Sequence, residues 1–186
     1  MDNLAERERV KYEKVWADPS YRVVSPGMME VDQAYRDMGC APDMSINDYG
    51  SGTGRATKWF QDRGMRALGV DHADNACETS VLIYRASLWD MRGVPPADFG
   101  FCCDVMEHIP PEKVDAVLAE IYRLTRRAAW FRIATRPDVM GPKLLGEPLH
   151  LTIRDAVWWS EKMWEVWEHV DIIRDHGQDV VMHCWK

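Results

Sequence analysis

The sequence lacks the usual marks of a secreted protein, a membrane protein or a metalloprotein. Its 186 residues include only five cysteines, with no C-x-x-C pair and no histidine and cysteine spacing of a metal site. An odd number of unpaired cysteines is typical of reduced thiols in a cytosol. No apolar run reaches the length that spans a bilayer, and the first residues contain no signal-peptide core. We therefore expect a cytoplasmic protein with no membrane partner and no metal ion.

Positive charge is also scarce. The 30 acidic residues outnumber the 23 lysines and arginines, which gives a net charge of −7 and a pI of about 5.4. Such a surface has no general attraction for a phosphate backbone. The one dense basic cluster, Arg123, Arg126 and Arg127, falls at a predicted helix end, where cations complement the helix dipole. The composition therefore disfavours nucleic acid as a partner.

The order of apolar and amphipathic segments predicts an α/β fold. Runs that predict strands cover about 44–48, 66–71, 81–84, the segment from 97, 129–134, 169–174 and 180–185. Patterns that predict helices cover about 3–16, 28–38, 53–63, the segment after 110, and 153–167. The long stretch 135–149 is expected to be a loop that walls a substrate pocket.

A glycine-rich turn, D-Y-G-S-G-T-G, runs from Asp48 to Gly54 between a predicted strand and a predicted helix. Glycine allows positive φ angles and lets a ligand approach the backbone. In α/β sheets, a turn of this kind at the carboxyl end of a strand binds nucleotides. The dinucleotide fingerprint G-x-G-x-x-G does not fit, because Arg55 or Thr57 occupies the place of its last glycine.

Two further segments carry chemistry. Asp71 ends the second predicted strand 23 residues after Asp48, close to the interval at which an acid meets a ribose. Its alternative is a solvated residue at a strand end. Residues 98–108, D-F-G-F-C-C-D-V-M-E-H, then follow as a buried strand and a polar loop.

In this order, these segments resemble the class I S-adenosylmethionine (SAM)-dependent methyltransferases over about residues 44–186. The glycine turn resembles the family's first motif, and residues 98–108 resemble its fourth strand and the following loop. The D-V-x-E-H form looks like methyltransferases of small molecules and like methyltransferase-like proteins of bacteriophages. The Asn/Asp-Pro-Pro-aromatic tetrapeptide expected of a nitrogen-directed DNA methyltransferase is absent.

The resemblance implies a cofactor site for SAM, which leaves as S-adenosylhomocysteine. It assigns the ammonium group to Asp48, the methionine portion to the glycine turn, the ribose to Asp71 and the adenine to the loop after the third strand. The cofactor-binding residues implied are Asp48, Gly50, Ser51, Gly52, Asp71, Leu88, Trp89 and Asp104. For Leu88 and Trp89, a place in the core under a loop is the alternative.

The acceptor side is expected to contain Glu107, His108 and His150. A histidine with a pKa near neutrality suits the role of general base for an oxygen or nitrogen nucleophile. Each histidine has a plainer alternative, a hydrogen bond that braces the local structure. Tyr12, Trp16 and Tyr21 are candidate lid residues, or anchors of the N-terminal segment.

The fold implied by the resemblance is a Rossmann-like, mostly parallel sheet of seven strands with an antiparallel last strand and helices on both faces. We expect one domain over 1–186, with an N-terminal helical cap (1–43) and a catalytic core (44–186). The function implied is methyl transfer to an oxygen or nitrogen of a small molecule. One alternative is a nucleic-acid acceptor, and another is a non-catalytic SAM-binding partner protein. Such a partner protein would use the tryptophan-rich segment around 158–167 as an interface. The same segment is a candidate surface for a homo-oligomer.

Overall fold

The computed structural model describes residues 3–186; Met1 and Asp2, which the expected N-terminal cap includes, lie outside the described residues. A seven-stranded sheet has the order β3-β2-β1-β4-β5-β7-β6. The strands are β1 (Ser45–Tyr49), β2 (Arg66–Asp71), β3 (Ile83–Arg85), β4 (Ala97–Cys103), β5 (Thr125–Ala134), β6 (His169–Asp175) and β7 (Asp179–Trp185). β7 is antiparallel to both β5 and β6, and the remaining pairs are parallel. The predicted sheet is confirmed.

Six helices accompany the sheet among residues 3–186. They are α1 (Asn3–Trp16), α2 (Val31–Asp37), α3 (Arg55–Gln61), α4 (Val114–Leu124), α5 (Met140–Leu145) and α6 (Ala156–Trp164). Two apolar clusters form, one with α2 and α3 and the other with α4 and α6. Because alternate residues of a strand point to opposite faces, the sheet separates the clusters: Phe101 packs on Phe60 of α3, whereas its neighbour Cys102 belongs to the α4 cluster. None of these helices has the length and hydrophobicity needed to cross a membrane.

Several boundaries differ from the sequence prediction. β3 begins at Ile83, and Leu82 is 71% exposed, because only three residues pair with β2 at this edge of the sheet. β5 begins at Thr125, four residues earlier than predicted, although Arg126 and Arg127 are exposed. The strand extends beyond its apolar run because Thr125 pairs with Ala97 of β4.

The helices differ in a similar way. A 3-10 turn at Pro26–Met29 shortens α2, and the short helix α5 lies inside the stretch predicted as a loop. α6 begins later than predicted, after Asp155, whose side chain accepts a hydrogen bond from the Trp158 N–H. Thr152 does not cap this helix because its hydroxyl donates to the Ile109 carbonyl oxygen at 2.7 Å.

The tryptophan-rich segment is partly core. Trp159 and Trp167 are buried in the α4 cluster, whereas Trp164 is 54% exposed. Only part of this segment is therefore available to a partner, and the homo-oligomer stays a prediction. All five cysteines are free.

A buried arginine ties the centre of the sheet to the loops at its carboxyl edge. Arg132 of β5 donates to Asp104 at 2.8 Å and to Asp179 at 2.7 Å, and it lies 3.6 Å from Glu30. Its side chain is 12% exposed and that of Glu30 only 3%. Removal of one partner of a buried ion pair leaves the other charges without compensation.

We expect Arg132→Leu to lower the free energy of unfolding by about 3 kcal/mol, since Asp104 and Asp179 would lose their cation, while Glu30 would keep Arg174 at 2.5 Å. Urea denaturation followed by circular dichroism measures this. Arg126→Leu on the same strand is the matched control: its side chain is 55% exposed and 3.9 Å from Asp98, so its loss should cost less than about 1 kcal/mol. Equal effects of the two substitutions would contradict the role given to Arg132.

Candidate active site

The site lies at the carboxyl ends of the parallel strands, where the strand order reverses between β1 and β4. Open α/β sheets form a crevice at this point, because the chains leaving the two neighbouring strands diverge to opposite faces. Two adjoining cavities occupy it. The β2-side cavity, of about 100 Å³, is lined by Asp71, His72, Leu88 and Trp89, among others. The β5-side cavity, of about 330 Å³, is lined by residues that include Asp48, Gly52, Arg136, Asp138 and His150.

The glycine turn forms the floor between the two cavities. Gly50 and Gly52 have φ angles of +70° and +49°, a region that other residues rarely adopt. A side chain at Gly50 would meet Val105 at 2.5 Å, and one at Gly52 would meet Trp16 at 2.9 Å. Both glycines are therefore required by backbone conformation and by close packing, as the D-x-G-x-G-x-G pattern predicts.

Ser51, between these glycines, is buried, and its hydroxyl oxygen has no hydrogen-bond partner among the described residues. It lies close to the backbone of β2, because a side chain on Gly69 would meet this oxygen at 2.7 Å. An unpaired hydroxyl in a buried place favours a polar ligand that completes its hydrogen bonding.

Asp48 ends β1 beneath the turn and is 4% exposed. Its Oδ2 accepts a hydrogen bond from the Thr57 hydroxyl at 2.6 Å. Burial raises the pKa of Asp48 to about 7, and the neighbouring Asp71 acts in the same direction. A carboxyl group in this state gains by contact with a cation.

Asp71 ends β2 and is 8% exposed. Its two oxygens accept hydrogen bonds from the backbone N–H groups of Gly52 and Ala73, at 2.8 and 2.9 Å. The carboxylate therefore holds the glycine turn in position while it faces the β2-side cavity. Each oxygen keeps a second lone pair, so the group can also accept from a ligand hydroxyl.

Leu88 and Trp89 form a wall of the β2-side cavity. Leu88 is 7% exposed and belongs to the α4 cluster, whereas the ring of Trp89 is half-buried. The sequence left open whether these residues are core or cavity. In the structure both descriptions apply, because the loop after β3 lies at the rim of the core.

Asp104 follows β4 with a φ angle of +54° and borders both cavities. Burial raises the pKa of Asp104, and the guanidinium of Arg132, 2.8 Å away, opposes that shift. The left-handed conformation turns the chain sharply out of the sheet, which directs the next residues back under the crevice.

Helix α1 covers the crevice from the N-terminal side. Trp16 packs on Gly52, and Tyr12 contacts both His72 and His108. α1 also buries an ion pair between Glu8 and Lys11, 2% and 7% exposed, and Glu8 faces the β2-side cavity. The tyrosine and tryptophan were expected here. Glu8, Lys11 and His72 were not, because nothing in their local pattern distinguishes them from residues on a solvated surface.

His108 lies where the two cavities meet. Its Nδ1 is 3.2 Å from the Leu149 carbonyl oxygen and 2.7 Å from the Tyr12 hydroxyl. A protonated Nδ1 would donate to the Leu149 carbonyl oxygen, whereas an unprotonated Nδ1 would accept from the Tyr12 hydroxyl. Burial lowers the pKa of His108 to about 3, and the adjacent His150 acts in the same direction. A neutral ring with so low a pKa is a weak base.

His150 stands edge to face with His108, the ring centroids 4.7 Å apart. Its Nδ1 donates to the Arg136 carbonyl oxygen at 2.6 Å, which leaves the lone pair of Nε2 unused. Asp138 holds this loop by accepting from the N–H groups of Gly141, Leu149 and His150 at 2.6 to 3.1 Å. Burial favours a higher pKa for Asp138, but these three hydrogen bonds outweigh it and the pKa is lowered.

Glu107 differs from the sequence expectation of a group that faces the acceptor. It is 0% exposed and lies behind the crevice wall. Its Oε1 accepts from the Ala134 N–H at 3.1 Å, while Oε2 has no partner among the described residues. Burial raises the pKa of Glu107 well above its ordinary value.

The crevice fits SAM, the cofactor that the resemblance implies. Gly50, Ser51 and Gly52 line the β5-side cavity, and neither glycine presents a side chain to it. Buried acids end β1 and β2 on its two sides, and the Ser51 hydroxyl is unpaired. These features match a ligand such as SAM, which has cationic groups and a pair of ribose hydroxyl groups.

Comparison with known proteins agrees with this geometry. Residues 47–133 match a family model described as a methyltransferase domain, whereas no curated protein matches the chain in sequence. Magnesium protoporphyrin IX methyltransferase from Synechocystis PCC 6803, with bound S-adenosylhomocysteine, is 13% identical, with a TM-score of 0.66 over 100% of this chain and 96% of that one.

Two further solved structures are similar. The 1,6-didemethyltoxoflavin-N1-methyltransferase of Burkholderia thailandensis is 16% identical, with a TM-score of 0.71 over 98% of this chain and 88% of that one. A SAM-dependent methyltransferase from Archaeoglobus fulgidus is 13% identical, with a TM-score of 0.65 over 86% of this chain and 94% of that one. At such identities the similarity is one of fold. Together, the match over residues 47–133 and this similarity indicate a methyltransferase domain with the Rossmann-like fold of SAM-dependent methyltransferases.

Proposed function

We propose that this enzyme transfers the methyl group of SAM to an oxygen or nitrogen atom of a small molecule. The observation that carries the proposal is the arrangement of the crevice: a glycine turn flanked by two buried acids at one end, and two histidines at the other. When bound, the cofactor supplies a methyl group activated by its positively charged sulfur. The chain contributes binding, orientation and the exclusion of water.

The acids and the turn are assigned to the cofactor. Asp48 would hold the ammonium group, Asp71 the ribose hydroxyls, and Gly50 and Gly52 the methionine portion. Leu88, Trp89, Ser51 and Asp104 would complete the walls around it. Asp71 fixes the turn by accepting from the Gly52 N–H, so the two halves of the cofactor site are coupled through one carboxylate.

The histidines are assigned to the acceptor. The lone pair of His150 Nε2 is available because Nδ1 donates to a backbone carbonyl, and Asp138 fixes the loop that presents the ring. His150 is therefore better suited than His108 to take a proton, since His108 has a pKa of about 3. His108 would position the acceptor and tie it to Tyr12 of α1.

A small acceptor is supported by the enclosure of the crevice under α1 and by the net charge of −7. Residues 3–43 would form a cap over the catalytic core, since Trp16 and Tyr12 close the space above the turn. Two solved structures of this fold carry the names of methyltransferases of a porphyrin and of 1,6-didemethyltoxoflavin. The five free thiols keep the cytoplasm as the predicted location.

Incubation with SAM labelled in its methyl group tests the acceptor class. Purified enzyme is mixed with separate metabolite, nucleic-acid and protein extracts, and the label is located by chromatography. We expect label in the metabolite fraction only. Label in nucleic acid or protein would overturn the small-molecule acceptor, and SAM binding without any labelled product would favour a non-catalytic partner protein.

Cofactor affinity should depend on pH through Asp48. With a pKa of about 7, this group is protonated at pH 6 and cannot pair with an ammonium group. Calorimetry should show SAM binding about tenfold more weakly at pH 6 than at pH 8, since affinity follows the ionised fraction of one group. In Asp48→Asn, binding should be weaker and the pH dependence lost. The same pH profile in this variant would assign it to another residue.

His150→Ala should lower turnover by about 100-fold or more, because a positioned acid–base group usually contributes at least that factor. The dissociation constant for SAM should change less than twofold. His176→Ala, at the exposed turn between β6 and β7, is the control and should keep both values. If turnover in His150→Ala equals that of the control, His150 takes no part in the reaction.

A further inference from the structure

Glu107, His108 and His150 each place one potential ligand atom within 4.8 Å of the other two. Glu107 and His108 lie on the 3-10 turn after β4 (Met106–His108), and His150 lies between α5 and α6. We propose that these three residues bind one divalent transition-metal cation at the acceptor end of the crevice. No residue spacing in the sequence indicates such a site, because His150 lies 42 positions after His108.

The ring orientation of both histidines supports this assignment. The Nδ1 atom of each contacts a backbone carbonyl oxygen, that of Arg136 at 2.6 Å for His150 and that of Leu149 at 3.2 Å for His108. For His150 this contact places the proton on Nδ1 and leaves a lone pair on Nε2. His108 has the same arrangement in the tautomer whose Nδ1 donates to Leu149, and in that tautomer the Tyr12 hydroxyl oxygen, 2.7 Å from Nδ1, is a second acceptor. Histidines that bind metals commonly donate their other ring N–H to a carbonyl or carboxylate in this manner.

The carboxylate supplies an independent observation. Glu107 is 0% exposed, Oε1 accepts the Ala134 N–H at 3.1 Å, and Oε2 has no partner among the described residues. A buried polar atom without a partner is unfavourable and points to an absent ligand. The main chain of Glu107 is fixed as well, because its carbonyl oxygen accepts from the N–H groups of Leu151 and Thr152 at 2.7 and 2.9 Å. These bonds also draw the segment that contains His150 towards Glu107.

The donor set selects the class of cation. Two imidazole nitrogens and one carboxylate oxygen suit zinc, manganese, iron, cobalt or nickel, whereas magnesium prefers oxygen ligands throughout. Ligand distances of about 2.1 Å allow two donors to be at most ~4.2 Å apart. The cluster must therefore contract by less than about 1 Å, which side-chain rotations of the half-buried histidines can provide.

The role of the cation rests on the proposed function. His108 and His150 line the cavity assigned to the acceptor, so a cation held by them would face it with open coordination positions. The acceptor would then carry a hydroxyl or similar oxygen donor that binds the cation, since metal coordination makes such a group more acidic. The lone pair of His150 Nε2 that could take a proton in the metal-free site would then bind the cation, so turnover should fall in His150→Ala in either case.

Metal binding can be measured without SAM or an acceptor. Protein freed of metal with EDTA and dialysed is titrated with Mn²⁺, and the free ion is followed by electron paramagnetic resonance. We expect one Mn²⁺ per chain, with affinity reduced at least 100-fold in His150→Ala and in Glu107→Gln. His176→Ala, which removes an exposed histidine at the turn between β6 and β7, should bind Mn²⁺ like the wild type. The visible spectrum of bound Co²⁺ should be lost in the same two variants.

Thermal unfolding of each metal-free variant shows whether it is folded. If Glu107→Gln does not fold, His150→Ala carries the test, because His150 is only half-buried. Equal Mn²⁺ affinity in His150→Ala and the wild type, or no binding of Mn²⁺, Co²⁺ or Zn²⁺ at 1 mM by protein that binds SAM, would overturn the metal site. Absence of metal binding by protein that binds SAM would leave the proposed methyl transfer unaffected. Failure to bind SAM would contradict the proposed methyl transfer but not the metal site.

Discussion

The structure depends on the hydrogen bond between the carboxylate of Asp71 and the backbone N–H of Gly52. It joins the end of β2 to the turn that follows β1, at the point where the strand order reverses. The turn has left-handed glycines: the Gly50 N–H donates to the Val70 carbonyl oxygen of β2, and the Gly52 N–H donates to the Asp71 side chain. An acid at the neighbouring strand end satisfies one of these groups and fixes the floor of the crevice. The Asp71 carboxylate also faces the β2-side cavity, so this one group contributes both to the stability of the turn and to ligand binding.

The second feature of the crevice is its excess of buried acid. Asp48, Asp71 and Glu107 are buried within or behind its walls, and Asp104 borders both cavities. Arg132 of the sheet pairs with Asp104 and is also shared with Asp179 and Glu30. Buried carboxylates are costly unless paired, and the raised pKa values of Asp48, Asp104 and Glu107 express that cost. The site is therefore organised for positive charge, which suits a sulfonium nucleoside at one end and a metal cation at the other.

Helix α1 connects these two ends. Trp16 packs against Gly52 of the cofactor turn, and Tyr12 lies 2.7 Å from His108 on the acceptor side. The same helix buries the ion pair of Glu8 and Lys11, which carries a desolvation cost that their mutual attraction offsets. α1 therefore contacts both ends of the crevice.

The sequence by itself determined the parts of this protein that are local. The alternation of short apolar runs with amphipathic segments specified the sheet, and D-x-G-x-G-x-G specified a strand, a tight turn and a helix, because backbone conformation responds to neighbouring residues. It also placed Asp48 and Asp71 at strand ends that a parallel sheet brings to the same edge. Only the tertiary structure decided that Glu107 is buried behind the wall, that Asp138 fixes the loop of His150, and that Glu107, His108 and His150 meet. These contacts join segments far apart in the chain, and the path of the loops around the sheet, which no residue pattern encodes, brings them together.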